Sequence, residues 1–345
     1  MQRGGPTNAM SEHLWIKDIR GEEKVTGCYL TKEKRLGTTK NKKPFISVTL
    51  ADRTGEMEAK VWERAEERSS LFREGDIIQI NGRAGFFRDQ IQITVSDLKV
   101  PANKPDPDIF LESTPNDPSK MFSSLKEILK GVEDARLREL IRRFLGDPKF
   151  VALFMRSPAA KNFHHCYLGG LLEHTLSVCE MAVQVVRHYP QLDGDLLLTS
   201  AFLHDIGKTR ELKFGLSIDY SDEGRLIGHV VLGAAMVDEK LKALKNFPDE
   251  LATLLKHMVL SHHGQYDFGS PKAPKFLEAF ALNLIDDLDA KINGLGRFME
   301  RDRHEGKWTE FNRMFGRYFL KDKTLPVVDE PVKKSQKEEK QGSLF

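Results

Sequence analysis

The 345-residue chain is 40% hydrophobic and 30% charged, a globular composition with room for about two domains, and its formal net charge of +2 is too small to imply a polyanionic partner. Its three cysteines, Cys28, Cys166 and Cys179, contain no CxxC pair, which argues against a disulfide framework or zinc knuckle and suits a reducing cytoplasm. No run of about 18 apolar residues suggests a membrane span, and residues 1–13 lack the apolar core of a signal peptide.

Residues 14–100 read as β structure. Ile46, Val48 and Leu50 alternate with polar neighbours; Asp52-Arg53-Thr54-Gly55 makes a turn; Met57, Ala59 and Val61 alternate again. Ile78 with Ile80, and Ile91, Ile93 and Val95, add two more sets, separated by a connection over 85–90. Period-two alternation broken by Gly and Asp turns predicts short strands of a half-exposed antiparallel sheet. With Val25–Leu30 the expectation is a small five-stranded barrel. Residues 101–118 hold five prolines and read as a linker lying partly against the surface. The stretch 119–320 reads as helix after helix. From Leu171, the stripe Leu172, Leu176, Cys179, Val183 and Val186 runs beside a second, Leu171, His174, Val178, Met181 and Val185, predicting a deeply buried helix. The Lys- and Glu-rich segment 321–345 reads as a disordered tail.

The chemistry lies in the helical half: His174 in LLEHT, His204-Asp205 in FLHDIGK, His229 in GHVVLGA, His262-His263 in SHHG and Asp286-Asp287 in LIDDLDA. Any one histidine on an apolar face is more often a satisfied core residue than a ligand. The set is different. His204-Asp205 follows the apolar run Leu196–Leu203, and Asp286 follows Phe280, Leu282, Leu284 and Ile285. A carboxylate in such a setting is costly unless it is paired or metal-bound. Mixed imidazole and carboxylate donors suit Mn, Fe, Zn, Co or Ni. His174, His204, Asp205 and a C-terminal aspartate can hold one ion; His229, His262 and His263, with Asp205 bridging, can hold a second. Two such ions would clamp a phosphate and generate a nucleophile at neutral pH, so hydrolysis of a phosphoester is expected.

His174, His204-Asp205 and Asp286 resemble the H…HD…D pattern of the HD-domain phosphohydrolases, and HDIGK resembles the form in their phosphodiesterase branch. That resemblance implies that His229, His262 and His263 complete a binuclear site. It favours Asp286 over its neighbour Asp287, because IDDLD resembles the family's A-D-x-L-D. It implies that Lys208, one turn after His204, offsets charge on a phosphate oxygen. His165, in FHHCYLGGLLEHT, is not a ligand by this pattern; substrate pocket and core packing are both open to it, while His164 and His257 read as structural.

Lys32–Lys43 carries Lys32, Lys34, Arg35, Lys40, Lys42 and Lys43 against the single acid Glu33, between the first two predicted strands. In an OB-fold that loop borders the oligonucleotide groove, so phosphate contacts are expected there. Phe45, Trp62, Phe86 and Phe87 are candidate stacking platforms, the first two more often core; one of Phe86 and Phe87 should point outward, with Arg88 adding a phosphate contact. The order barrel, linker, HD helices is similar to the YhaM-type 3′-to-5′ exoribonucleases, carried best by GEMEAKVWE, KNFHHCYLGGLLEHT and NLIDDLDAKI. The resemblance implies manganese-dependent release of nucleoside 5′-monophosphates from single-stranded RNA, with DNA also open. Two alternatives stand beside it: a phosphohydrolase of nucleotides or cyclic dinucleotides with the barrel as sensor, and a non-catalytic nucleic-acid-binding regulator. Gln341-Gly342-Ser343-Leu344-Phe345 is similar to the pentapeptides that dock on the bacterial sliding clamp. Self-association of the chain, as a homo-oligomer, is left open.

Overall fold

The structure is a computed structural model, and it describes residues 13–39, 41–87, 90–102, 105, 109–302, 304 and 306–321. Lys40, Arg88, residues 1–12 and the terminal Gln341–Phe345 lie outside the described residues.

Five strands, β1 (Lys24–Thr38), β2 (Pro44–Asp52), β3 (Gly55–Val61), β4 (Ile77–Phe87) and β5 (Gln90–Lys99), close a barrel in the order β1-β2-β3-β5-β4, with helix α1 (Ala65–Leu71) between β3 and β4. The predicted alternation is its cause: Val25, Ile46, Val48, Leu50, Ala59, Val61, Ile78, Ile80, Ile93 and Val95 all point inward and are buried. Four of the five seams are antiparallel. The fifth, β3 against β5, is parallel, so the purely antiparallel expectation is corrected: a sheet that closes on itself must pair whichever strands meet at the last seam, whatever their directions. β4 runs through Phe87, so the predicted connection over 85–90 is mostly strand.

The linker is anchored. Ile109, Phe110 and Leu111 are buried, the Arg53 backbone N–H donates to the Ile109 carbonyl, and the Thr114 N–H donates to that of Leu168. Helices then follow from Pro118: α2 (Pro118–Leu129), α3 (Ala135–Leu145), α4 (Pro148–Arg156), α5 (Gly170–His188), α6 (Gly194–Leu203), α7 (Lys208–Glu211), α8 (Asp222–Ile227), α9 (His229–Lys242), α10 (Asp249–Ser261) and α11 (Leu277–Arg301). Aspartates start four of them. Asp117, Asp134, Asp147 and Asp193 each accept from backbone N–H groups in the first turn, satisfying donors that the helix itself leaves unpaired. A single apolar core of α2–α6 and α9–α11 side chains fills the space between the helices.

The expectation of helices alone is corrected at one place. Strands β6 (Leu212–Phe214) and β7 (Ile218–Tyr220) form a hairpin around Gly215, where KFGLSIDY alternates with a period of two rather than four. Beyond Arg301 the described residues form short bridges, Trp308 with Leu320 and Asn312 with Arg317, within a unit that begins at Leu295; they are not helical. Among the described residues no helix is long and apolar enough to cross a membrane.

Candidate metal centre

Helix ends and helix faces deliver the polar residues to one place. α6 is buried around its whole circumference, and its C-cap, His204, places Asp205 immediately beyond the last turn. Gly207 follows because nothing else fits: a Cβ there would lie 2.0 Å from the His229 carbonyl oxygen, so any side chain would push α9 away. That close approach seats His229 at the first turn of α9. His262 caps α10 and His263 follows it; His174 comes from the buried face of α5 and Asp286 from that of α11.

Two donor groups result. His174, His204 and Asp286 form one; Asp205, His229, His262 and His263 form the other, with donor atoms within each group no more than 4.8 Å apart. His174 Nε2 lies 3.1 Å from Asp286 Oδ1 and 3.1 Å from His204 Nε2. Asp205 stands between the groups. Its Oδ2 is 3.4 Å from both His174 Nε2 and His204 Nε2, and its Oδ1 is 3.5 Å from both His229 Nε2 and His262 Nε2. Asp287 is exposed and paired with Lys291 at 2.7 Å, so geometry separates the two adjacent aspartates.

The far nitrogen of four of these rings is engaged. His204 Nδ1 donates to the Ala201 carbonyl at 2.7 Å, and His262 Nδ1 to that of Val259 at 2.7 Å. His174 Nδ1 donates to Asp289 at 2.7 Å, and His229 Nδ1 to Glu211 at 2.9 Å. With each Nδ1 as donor, each Nε2 is left to offer a lone pair, at His174 once its second proton has gone, and all four face the Asp205 carboxylate. This is the arrangement that ligating histidines adopt, with the second nitrogen held by an oxygen acceptor. Both Asp205 oxygens and His262 Nε2 are buried without an aligned hydrogen-bond partner, an expensive state that a divalent cation removes. The residues therefore fit a metal.

Electrostatics agree. Burial pushes Asp205 and Asp286 up, but Lys208 and the neighbouring histidines outweigh it at Asp205, and His174, His204 and His262 outweigh it at Asp286, so both carboxylates are held well below their usual range. His174 is fully buried, which disfavours its charge, yet hydrogen bonds to Asp205, Asp286 and Asp289 hold it well above the usual imidazole value. His263 is pushed down to about 3, first by burial and then by His262 and His229, so it is a neutral donor at neutral pH. The Lys208 ammonium lies 2.5 Å from Asp205 Oδ2, as an ion pair rather than an aligned hydrogen bond.

Asp289 and Glu211 were not legible as site residues. Asp289 accepts from His174, from His165 Nε2 at 2.9 Å and from Ser177. A signal existed: Asp289 lies one turn after Asp286 on α11, and Glu211 one turn after Lys208. His165 has both ring nitrogens committed, to Asp289 and to Tyr167 Oη at 2.9 Å. These bonds tie it to His174 through Asp289, and the donor atoms of His165, His174 and Asp289 lie within 4.8 Å of one another. His164, expected to be structural, stands next to His165. Its ring centroid is 5.5 Å from that of His174, and its Nδ1 is buried with no hydrogen-bond partner. His257 accepts from the Lys275 backbone N–H at 3.1 Å, away from the centre.

On the barrel the basic segment divides. β1 extends to Thr38, so Lys32, Lys34 and Arg35 lie on a strand, not in a loop. Lys34 Nζ donates to the Ser69 and Phe72 carbonyls at 2.5 and 2.6 Å, closing the C-terminus of α1, which takes it away from any phosphate. Lys32 pairs with Glu56 at 2.6 Å and Arg35 with Glu33 at 3.6 Å; Lys42 and Lys43 are exposed at the hairpin tip. Phe86 and Phe87 are both exposed, at 65% and 58%, where only one was expected outside. Phe45 and Trp62, read as more often core, form a tilted pair with centroids 5.0 Å apart. Trp62 is 46% exposed and Lys60 Nζ lies 5.6 Å from the Phe45 ring.

Comparison with known proteins bears on both halves. Residues 15–101 match the OB-fold nucleic acid binding domain of the tRNA anti-codon family, and residues 171–291 match the HD domain. The chain is similar to a 3′-5′ exoribonuclease YhaM of Shouchella clausii, 34% identical over 289 residues that cover 83% of this chain and 89% of that protein. It is likewise 34% identical over 292 residues to the YhaM of Bacillus subtilis, covering 84% and 91%, and 35% identical over 293 residues to that of a Geobacillus species, covering 84% and 88%.

Proposed function

The chain belongs to the YhaM family of 3′-5′ exoribonucleases, and from that premise we propose a division of labour in which the barrel holds a single strand and the Asp205-centred cluster hydrolyses its 3′-terminal phosphodiester. The protein is a metal-dependent 3′-5′ exoribonuclease with an OB-fold and an HD domain, and it binds single-stranded nucleic acid. One observation carries the finer reading: the two oxygens of the single carboxylate Asp205 face two different sets of imidazoles.

In this reading His174, His204, Asp205 and Asp286 hold one divalent ion, and Asp205, His229, His262 and His263 hold a second. Such ions, manganese foremost and Fe, Co, Ni or Zn by the same donor chemistry, would supply positive charge to the phosphate and acidify water near neutral pH. The chain's own residues do the rest. Asp289, Glu211 and the Ala201 and Val259 carbonyls fix the imidazole tautomers, so no reorganisation is needed during reaction. Lys208 places its ammonium at the edge of the cluster, where it offsets charge on a non-bridging oxygen. Phe45 with Trp62, and the exposed Phe86 and Phe87, offer faces on which bases stack; Lys32, Arg35, Lys42 and Lys43 offer charge to the phosphates. The products are nucleoside 5′-monophosphates, and DNA is a second substrate.

Three further readings have support. The thiols of Cys28, Cys166 and Cys179 are all free, in keeping with a cytoplasmic setting. Along α11 the side chains of Leu277, Phe280, Leu284, Leu288 and Ile292 are each more than half exposed, an apolar row that supports self-association. Gln341–Phe345 stays a sliding-clamp docking proposal on its sequence alone.

The central test uses one 20-nucleotide RNA labelled at either end, with manganese and then with a chelator. The 3′-labelled strand should yield labelled monophosphate at the earliest times while the 5′-labelled strand shortens stepwise, and the chelator should stop both. Internal cuts, or activity that survives chelation, would contradict the reading.

A further inference from the structure

His164 and His165 are adjacent, yet the chain uses them oppositely. His165 adopts a left-handed backbone with φ of 43°, a strained conformation for a non-glycine residue that persists only where surroundings enforce it. The surroundings are on hand. The His165 N–H donates to Asn293 Oδ1 at 2.8 Å, its ring spans Tyr167 and Asp289, and Gly170 packs so tightly that a Cβ would lie 2.0 Å from the His165 carbonyl oxygen. The sharp turn fixed in this way sends the next imidazole, that of His164, toward His174.

His164 has no such bonds. Its ring meets Phe163 edge-on at 5.8 Å and stands 5.5 Å from His174, and its buried Nδ1 finds no partner. A buried polar atom left unpaired is costly, so packing is a poor reason to keep a histidine there. An imidazole carries at least one ring N–H in either tautomer, so His164 has a hydrogen bond to give on the side of the cluster where His174 stands.

We propose that His164 is a catalytic residue: its imidazole donates a hydrogen bond to a non-bridging oxygen of the scissile phosphoryl group, on the side of the cluster formed by His174. In the hydrolysis the oxygen of water adds to phosphorus, the bond from phosphorus to the leaving oxygen breaks, and that oxygen takes up a proton. His164 takes no part in these proton movements; it steadies the charge that gathers on the non-bridging oxygen. This inference rests on reading the cluster as the hydrolytic centre.

The test compares the manganese-loaded native protein with His164→Leu and His164→Gln on RNA and on bis(4-nitrophenyl) phosphate. Removing the donor in His164→Leu should lower kcat on both substrates about a hundredfold, with KM on the small ester, metal content and melting temperature close to native. His164→Gln, whose amide can still donate, should recover at least a tenth of the native kcat. The proposal is overturned if His164→Leu keeps kcat within threefold of native, if His164→Gln is no faster than His164→Leu, or if either variant loses metal or melts early, since His164 would then be a packing residue. A native protein that cleaves the small ester but not RNA would sink the exoribonuclease reading and leave the His164 comparison intact.

Discussion

The barrel and the helical domain treat polar residues in opposite ways. In the barrel they alternate outward: Glu58 bonds Ser47, Lys60 and Gln92 on the surface, and the residues offered to a strand are spread over several exposed positions. In the helical domain the polar residues turn inward, and Asp205 meets four imidazoles and a lysine while almost wholly buried. Surface charges are screened and individually weak, whereas buried charges interact strongly and tolerate no missing partner. A strand-holding surface can thus lose members gradually. A metal centre built around one shared carboxylate cannot.

The widest gap between the two regions should appear at Asp205. Asp205→Ala removes the carboxylate that faces both donor sets, and is expected to lower exonuclease activity by about a thousandfold or more while strand affinity, measured by fluorescence anisotropy, stays within a fewfold of native. Metal analysis should show loss of bound ion. An active Asp205→Ala protein would break the site assignment outright.

A smaller effect is expected one layer out. Asp289→Asn keeps an acceptor for His174 Nδ1 but removes the charge that helps hold His174 protonated, and metal affinity should fall about 10- to 100-fold. The sign of the pH dependence follows. His174 has a folded value raised above 6.5, so its ion pairs stabilise the metal-free protein fully below pH 6.5 and lose that contribution as pH rises through the raised value. Asp286, lowered from 3.8, contributes above pH 3.8 and loses its share as pH falls through the lowered value. A metal must displace the His174 proton, so its affinity, measured by titration calorimetry, should climb with pH above 6.5 in the native protein and less steeply in Asp289→Asn. Equal slopes would remove Asp289 from this role.

The barrel should give the mildest changes. Replacing both Phe45 and Trp62 by alanine should weaken long strands by about 1–3 kcal/mol per stacked base and leave hydrolysis of a dinucleotide unchanged. Lys42→Glu with Lys43→Glu should flatten the salt dependence of binding, at about 0.7 in the log–log slope for each phosphate that is no longer neutralised. Equal losses on long strands and dinucleotides would place strand holding elsewhere.

Sequence alone determined the barrel and the helical half, because the periods of two and of about 3.6 record which side of each element meets the core. It also supplied, in order, the residue types that gather in the His and Asp cluster, since buried His and Asp among leucines demand an explanation that few chemistries satisfy. Pairings that depend on three-dimensional proximity were decided only by tertiary structure. The parallel β3–β5 seam, Lys34 closing a helix, Asp289 and Glu211 bracing imidazoles, and the unlike surroundings of His164 and His165 all rest on distances between residues remote in the chain or on one left-handed turn. Local pattern carries the burial of a side chain; it carries no record of which distant atom that side chain will touch.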